Sequence, residues 1–215
     1  MPTLPDILGQ LQFISQEIFL LGLIVTAGTI LVTRDWRLLI LALLLQYILV
    51  GLILSRLVRP DIAVLKIMIG AFICPILFLS ARQVAVNTPI MSPVIQQERG
   101  NRAATGWVFR LLTALIVLLA TVTVSEMFAL PGLPPTLVIT VYWLALVGLT
   151  TLIITKDPLK TGIGLLTILT GFDLLYTTLE HSLLITGLWG AVNLLLALAI
   201  SYLIIANGAN PEEES

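Results

Sequence analysis

Asp173 lies within the apolar run 162–179. At membrane depth an ionisable group costs at least about 2.5–3.5 kcal/mol on insertion scales, so it needs a partner or a use. Thr167, Thr170 and Asp173 recur at i, i+3 and i+6, and Thr177 follows four residues on. On a helix these four share one slowly drifting polar stripe. Such a stripe suits a protonatable relay group facing a helix-lined interior. It equally suits a carboxyl that only hydrogen-bonds neighbouring helices, for example through Thr186 or Asn193. Gly164 and Gly171 add a small-residue face for close helix contact.

Lys66 and Asp61 form a second constellation, five residues apart in the run 62–81 and its approach. That separation is poor for a direct pair on one helix. Lys66 lies about 7 Å below the span edge, close enough for its stem to carry the ammonium outward. An anchored helix end is the expected role, and a buried lysine sharing protons with a partner subunit's carboxylate is the alternative. Cys74-Pro75 follows on the same span and is expected to kink it. Glu17 and Glu126 read as interfacial residues. Asn193, with Thr186, Trp189 and Gly190, gives the last span one polar face of the kind that joins helices. His181, beside Glu180, reads as a solvated turn residue.

The elements that carry these residues follow from composition. The chain has 215 residues, 58% hydrophobic and 11% charged, with a formal net charge of −1. Soluble domains carry about 25% charged residues, so this chain could not cover a water-facing surface. A cytosolic enzyme, a nucleic-acid binder and a disordered protein are all excluded, leaving an integral membrane protein. One cysteine and one histidine exclude disulfide frameworks and Cys- or His-rich metal sites. No phosphate loop, HExxH or plausible Ser/His/Asp set is present, so no catalytic, cofactor or metal site is expected. The run 183–206 lacks the lysine a retinal Schiff base requires. Met1 to Asp6 has no basic stretch of secretory type, so the first apolar segment is expected to be retained.

Seven stretches approach the roughly 20 apolar residues that a bilayer crossing needs: 13–33, 38–55, 62–81, 110–129, 136–155, 162–179 and 183–206. None alternates as barrel strands do, and lipid demands internally satisfied backbones, so all are expected to be helices. Eight Lys or Arg side chains fall in or beside connections 1–2, 3–4 and 5–6, namely Arg34, Arg37, Arg82, Arg99, Arg102, Arg110, Lys156 and Lys160. Arg56 and Arg59 fall on the other side. The positive-inside rule places the N-terminus outside and the acidic Glu212–Glu214 tail in the cytoplasm. The predicted architecture is an all-α integral membrane protein of about seven transmembrane helices, multi-pass in the inner (cell) membrane. It divides into a three-helix unit with a long cytoplasmic loop (1–109), a spacer helix (110–135) and a second three-helix unit with the tail (136–215). Trp143 and Trp189, away from the cytoplasmic boundary, are expected to pack on neighbours.

The segment from Gly148 through Thr155-Lys156-Asp157-Pro158-Leu159-Lys160 to Gly164 and Asp173 is an apolar span, a basic turn, then a glycine-containing span with a carboxylate. It resembles the three-helix K (4L) chain of complex I and the C subunit of Mrp-type cation/proton antiporters. Over most of its length the chain is similar to membrane component E of hydrogenase-4 and formate-hydrogenlyase-type complexes, with Lys66 near the start and Ala81-Arg82 at the end of the third span. In the K chain the second and third helices each carry a glutamate used in proton transfer. Here the position nearest the first of these holds Leu169, Asp173 is displaced by one turn, and the last span has Asn193 but no acid.

The resemblance implies a non-catalytic membrane-arm subunit of an ion-translocating oxidoreductase or antiporter, supporting proton or sodium movement. Its partners would be antiporter-like and other membrane-arm subunits within the lipid bilayer, and no nucleic acid. The candidate path residues are Asp173, Lys66, Asp61, Thr170 and Asn193. A stand-alone seven-helix small-solute transporter and a non-conducting scaffold are the alternatives.

Overall fold

A computed structural model describes residues 16–57, 60–87, 93–128, 133–179 and 182–209. They form helices α1 (Gln16–Val32), α2 (Trp36–Leu57), α3 (Pro60–Asn87), α4 (Pro93–Met127), α5 (Pro135–Ile154), α6 (Pro158–Leu179) and α7 (Leu183–Ala209). Four of them open on proline, whose missing N–H costs nothing in a first turn and whose fixed φ suits the helix. Within the described residues α2 to α7 each contain a segment long and apolar enough to cross a membrane. The apolar part of α1, Ile18–Val32, is shorter. This is the architecture of a multi-pass, all-helical membrane protein.

Two differences from the expected spans concern the connection 82–109. Most of it is helical rather than loop: α3 continues to Asn87 and α4 begins at Pro93. Polarity ended the spans by hydropathy, yet backbone hydrogen bonding carries a helix past the edge of its apolar run. Glu180, His181, Arg59 and the Glu212–Glu214 tail lie outside the described residues, as does the side chain of Glu17.

Four helices close a ring, with α2 packed on α3, α3 on α7, α7 on α6 and α6 on α2. The ring takes two helices from each of the two expected three-helix units. One core cluster fills it, including Leu43, Tyr47, Ile73, Leu77, Ile163 and Ala197. A second cluster joins α1, α5 and part of α2, with Leu23, Val50, Leu144 and Val147. Close contact between α5 and α6 depends on glycine. A Cβ on Gly148 would come within 2.6 Å of the Gly164 carbonyl oxygen and 2.5 Å of Ile168. Gly164 and Gly171 thus do present a close-packing face, and it is turned to α5. By contrast α4 sits at the periphery, touching α5 and α1 and leaving Phe109, Leu112, Ile116 and Leu119 exposed.

Trp143 is buried and its indole N–H donates to the Ile24 carbonyl at 2.9 Å, tying α5 to α1. Trp189 packs against Phe172 at 5.1 Å between ring centroids. Pro75 lies inside α3 and cannot donate to the Ala71 carbonyl. Beside it an apolar groove of about 470 Å³ runs between α2 and α3, lined by Leu41, Leu44, Ala71 and Phe78, with Arg37 among its walls.

Candidate functional site: a buried ion pair across the helix ring

Lys66 occupies the stripe Ile62, Lys66, Ile69, Ile73, whose spacing of four, three and four keeps one face of α3 turned inward. All four residues are buried, and Lys66 is 1% exposed. The expected anchored end is therefore corrected. The ammonium does not snorkel outward, because its helix face points into the ring. Its Nζ donates to Asp173 Oδ2, and Asp173 is itself 1% exposed. Helices α3 and α6 stand across the ring from each other, so the pair spans its interior.

Around the pair the polar groups are few. Thr177 Oγ1 donates to Asp173 Oδ1 at 3.3 Å, one helical turn along α6. The Lys66 ammonium lies 5.3 Å from the centroid of the Tyr47 ring, within range for a cation–π contact. Tyr47 is held at this position by the absence of a side chain on Gly70, where a Cβ would fall 2.5 Å from Tyr47 Cβ. Both carboxylate oxygens of Asp173 thus have a donor, as a buried charge requires.

The remaining predicted residues divide. Thr170 and Thr167 are fully buried on the stripe, but their hydroxyls donate to the Leu166 and Ile163 carbonyls at 2.7 and 2.8 Å rather than to the acid. Asn193 is fully buried, and neither its amide nitrogen nor its oxygen has a hydrogen-bond partner. The Thr186 hydroxyl donates to the Ser182 carbonyl at 3.1 Å and so is not the acid's partner either. Asp61 is exposed in the first turn of α3. Five residues carry it about 7.5 Å along the axis and roughly 140° around it from Lys66, so it is not part of the buried group. Glu126 is exposed.

Two participants went unread in the sequence. Tyr47 and Gln46, on α2, are both fully buried, and the Tyr47 hydroxyl and both Gln46 amide atoms have no hydrogen-bond partner. A glutamine amid the run Leu43-Leu44-Leu45 to Ile48-Leu49 was the available signal for this neighbourhood. Lys160 was also missed. Beside the α5–α6 connection, it is 4% exposed, and its Nζ donates to the carbonyls of Leu31 at 3.0 Å and Thr33 at 2.7 Å. It caps the C-terminal end of α1, where helix carbonyls lack partners and the dipole favours a cation. Arg110 Nη1 donates to the Val32 carbonyl at 3.4 Å, at the same end.

Among the described residues no group of three or more His, Cys, Asp or Glu gathers as a metal site. The fold and its interior define a multi-pass helical membrane protein with a charged pair buried between spans. No protein-family profile, curated protein or solved structure matches the chain.

Proposed function

We propose that this chain is a proton-translocating membrane subunit of an assembly akin to hydrogenase-4, complex I or Mrp-type antiporters. The observation that supports this reading is the Lys66–Asp173 pair, buried within the apolar spans with contacts from three helices, α2, α3 and α6. Desolvating two charges costs several kcal/mol per ion, and well-packed apolar residues are often equally stable in such a place. Stability alone is therefore a weak reason to keep this pair. A Lys–Asp pair changes its hydrogen-bonding and charge state with the gain or loss of a single proton, which makes it a natural relay element.

The geometry favours a proton over sodium. Lys66 already holds the cation position at Asp173 Oδ2, and Thr177 donates to Oδ1. A metal ion would have to displace the ammonium. The broad apolar face of α4 offers a place for neighbouring membrane subunits.

A specific observation favours a second reading, a scaffold in which the pair only fixes helix register. The pair bridges the ring just as the Ser80–Ser201 hydrogen bond joins α3 to α7 lower down. One experiment separates the two. The full chain is purified from native membranes under mild detergent with whatever co-purifies, and ion-coupled activity is measured for wild type, Asp173→Asn and the double variant Lys66→Met/Asp173→Leu. The translocation reading expects antiporter-like partners and loss of proton coupling in both variants. Full coupling in a folded double variant overturns it and leaves the scaffold. Solute flux through the chain purified alone would instead restore the stand-alone transporter.

A further inference from the structure

Among the described residues, five buried side-chain atoms have no hydrogen-bond partner: Tyr47 Oη, the nitrogen and oxygen of Asn193, and the nitrogen and oxygen of Gln46. Leaving a buried polar group unsatisfied costs about 1–3 kcal/mol, so five such atoms call for an occupant.

The register of the ring brings three of them to one level. Tyr47 packs on Gly70 of α3, and the neighbouring Ile69 packs on Gly190 of α7. Ile200 of α7 packs on Gly162 of α6, and these two helices run antiparallel. Asn193 precedes Ile200 by seven residues, which sets it level with the residue seven beyond Gly162, next to Thr170. Tyr47 shares one core cluster with Leu166 of α6 and Ala197 of α7, each four residues from Thr170 and Asn193 respectively, and its hydroxyl has no hydrogen-bond partner. Asn193 shares its helix face with Gly190, Ala197 and Ile200, at spacings of three, four and seven. Two of these, Gly190 and Ile200, touch α3 and α6, so the face of Asn193 looks into the ring. Asp173 stands about four residues, or roughly 6 Å, further along α6.

We propose that Tyr47, Asn193 and Thr170 hold ordered water at mid-span, directly beside the Lys66–Asp173 pair. The donor and acceptor inventory fits. Asn193 supplies an amide donor and a carbonyl acceptor, the Tyr47 hydroxyl supplies either, and the Thr170 oxygen can still accept while its proton goes to Leu166. A buried water needs two to four such partners. A cation fits worse, since the site has no free carboxylate and the Lys66 ammonium is already close. The Gln46 amide, at the same depth and next in sequence to Tyr47, has the same need for a partner. The inference rests on packing and holds whether or not the pair carries protons. Where it does carry them, the water extends its hydrogen-bonded reach toward the Arg34 end of the ring.

Water-edited solid-state NMR on the full chain in lipid bilayers tests this directly, with asparagine side-chain amides and Leu and Ile methyls labelled. The Asn193 signal is assigned by its loss in Asn193→Leu. The expected result is polarisation from water reaching the Asn193 amide severalfold faster than the methyls of Ile73 and Leu166, and slowing when Tyr47→Phe removes one water partner. Transfer to Asn193 as slow as to those methyls overturns the proposal. So does an Asn193 resonance that shifts with sodium but not with potassium, which would mark a cation site. This readout is independent of transport, so a dry site and a failed translocation reading are separately visible.

Discussion

Lys66 and Asp173, 107 positions apart in sequence, form an ion pair in which each partner is 1% exposed. It links helices that otherwise face each other across the ring, so the two halves of the chain meet at their only deeply buried opposite charges among the described residues. Breaking such a pair from one side leaves an uncompensated charge in a low-dielectric interior. Removing one partner of a buried pair is destabilising by about 3–5 kcal/mol, whereas replacing both with apolar residues is often neutral. Lys66→Met and Asp173→Leu are therefore each expected to lower the thermal midpoint in detergent markedly. The double variant should recover most of the loss. Equal midpoints for single and double variants would show that the two side chains do not depend on each other.

How much of this was legible follows from the same two residues. Asp173 stood out because a carboxylate within an apolar run has no inexpensive explanation, and the Thr167, Thr170, Thr177 spacing told which helix face it shares. Its partner was hidden by distance along the chain, since helix periodicity constrains neighbours within one span and says nothing of which span lies opposite. Depth alone leaves Lys66 within snorkelling reach of the membrane edge. Its inward direction was present in the pattern Ile62, Lys66, Ile69, Ile73, which reads as a core stripe interrupted by one charge. The long apolar helices among the described residues were legible because apolar length is a local property. The extension of α3 to Asn87 was not, because hydropathy stops at the membrane edge and hydrogen bonding does not.

The α5–α6 contact makes a prediction about backbone proximity. A methyl on Gly148 would press against the Gly164 carbonyl, a backbone atom with little room to retreat. Overpacking of this kind costs about 1–3 kcal/mol. Gly148→Ala should therefore destabilise the chain. Gly187 on α7 has open space where its Cβ would stand, so Gly187→Ala should be neutral or slightly stabilising through helix propensity. Thermal unfolding of both variants in one detergent checks the contrast. A tolerated Gly148→Ala would mean that the helices sit further apart.

Trp143 donates its indole N–H to Ile24 while its ring packs 3.7 Å from where a Gly28 side chain would begin. Trp143→Phe keeps most of the apolar contact and deletes the donor. The loss should be about 1 kcal/mol, the net worth of one intramolecular hydrogen bond. Trp143→Ala removes the packing as well and should cost about 3–5 kcal/mol. Finding the two variants equally affected would assign the whole role to the hydrogen bond.

At the opposite end of the ring from Asp61, Lys160 reaches out of α6 to close the last turn of α1. Its stem is buried and its ammonium has two carbonyl acceptors, so charge, hydrogen bonds and packing act together at one point. Lys160→Met keeps the stem but frees the Leu31 and Thr33 carbonyls and removes the cation from a helix C-terminus. The two effects together should destabilise by about 1–3 kcal/mol. Because the lost contacts hold α1 against α6 rather than the ring itself, the damage should be local. Amide hydrogen exchange is expected to rise in the last turn of α1 around Thr29 to Val32, with little change near Asp173. Lys160→Arg, which keeps the charge and can still donate, should restore much of the protection, while uniform exchange along α1 in Lys160→Met would show that the lysine does not cap it.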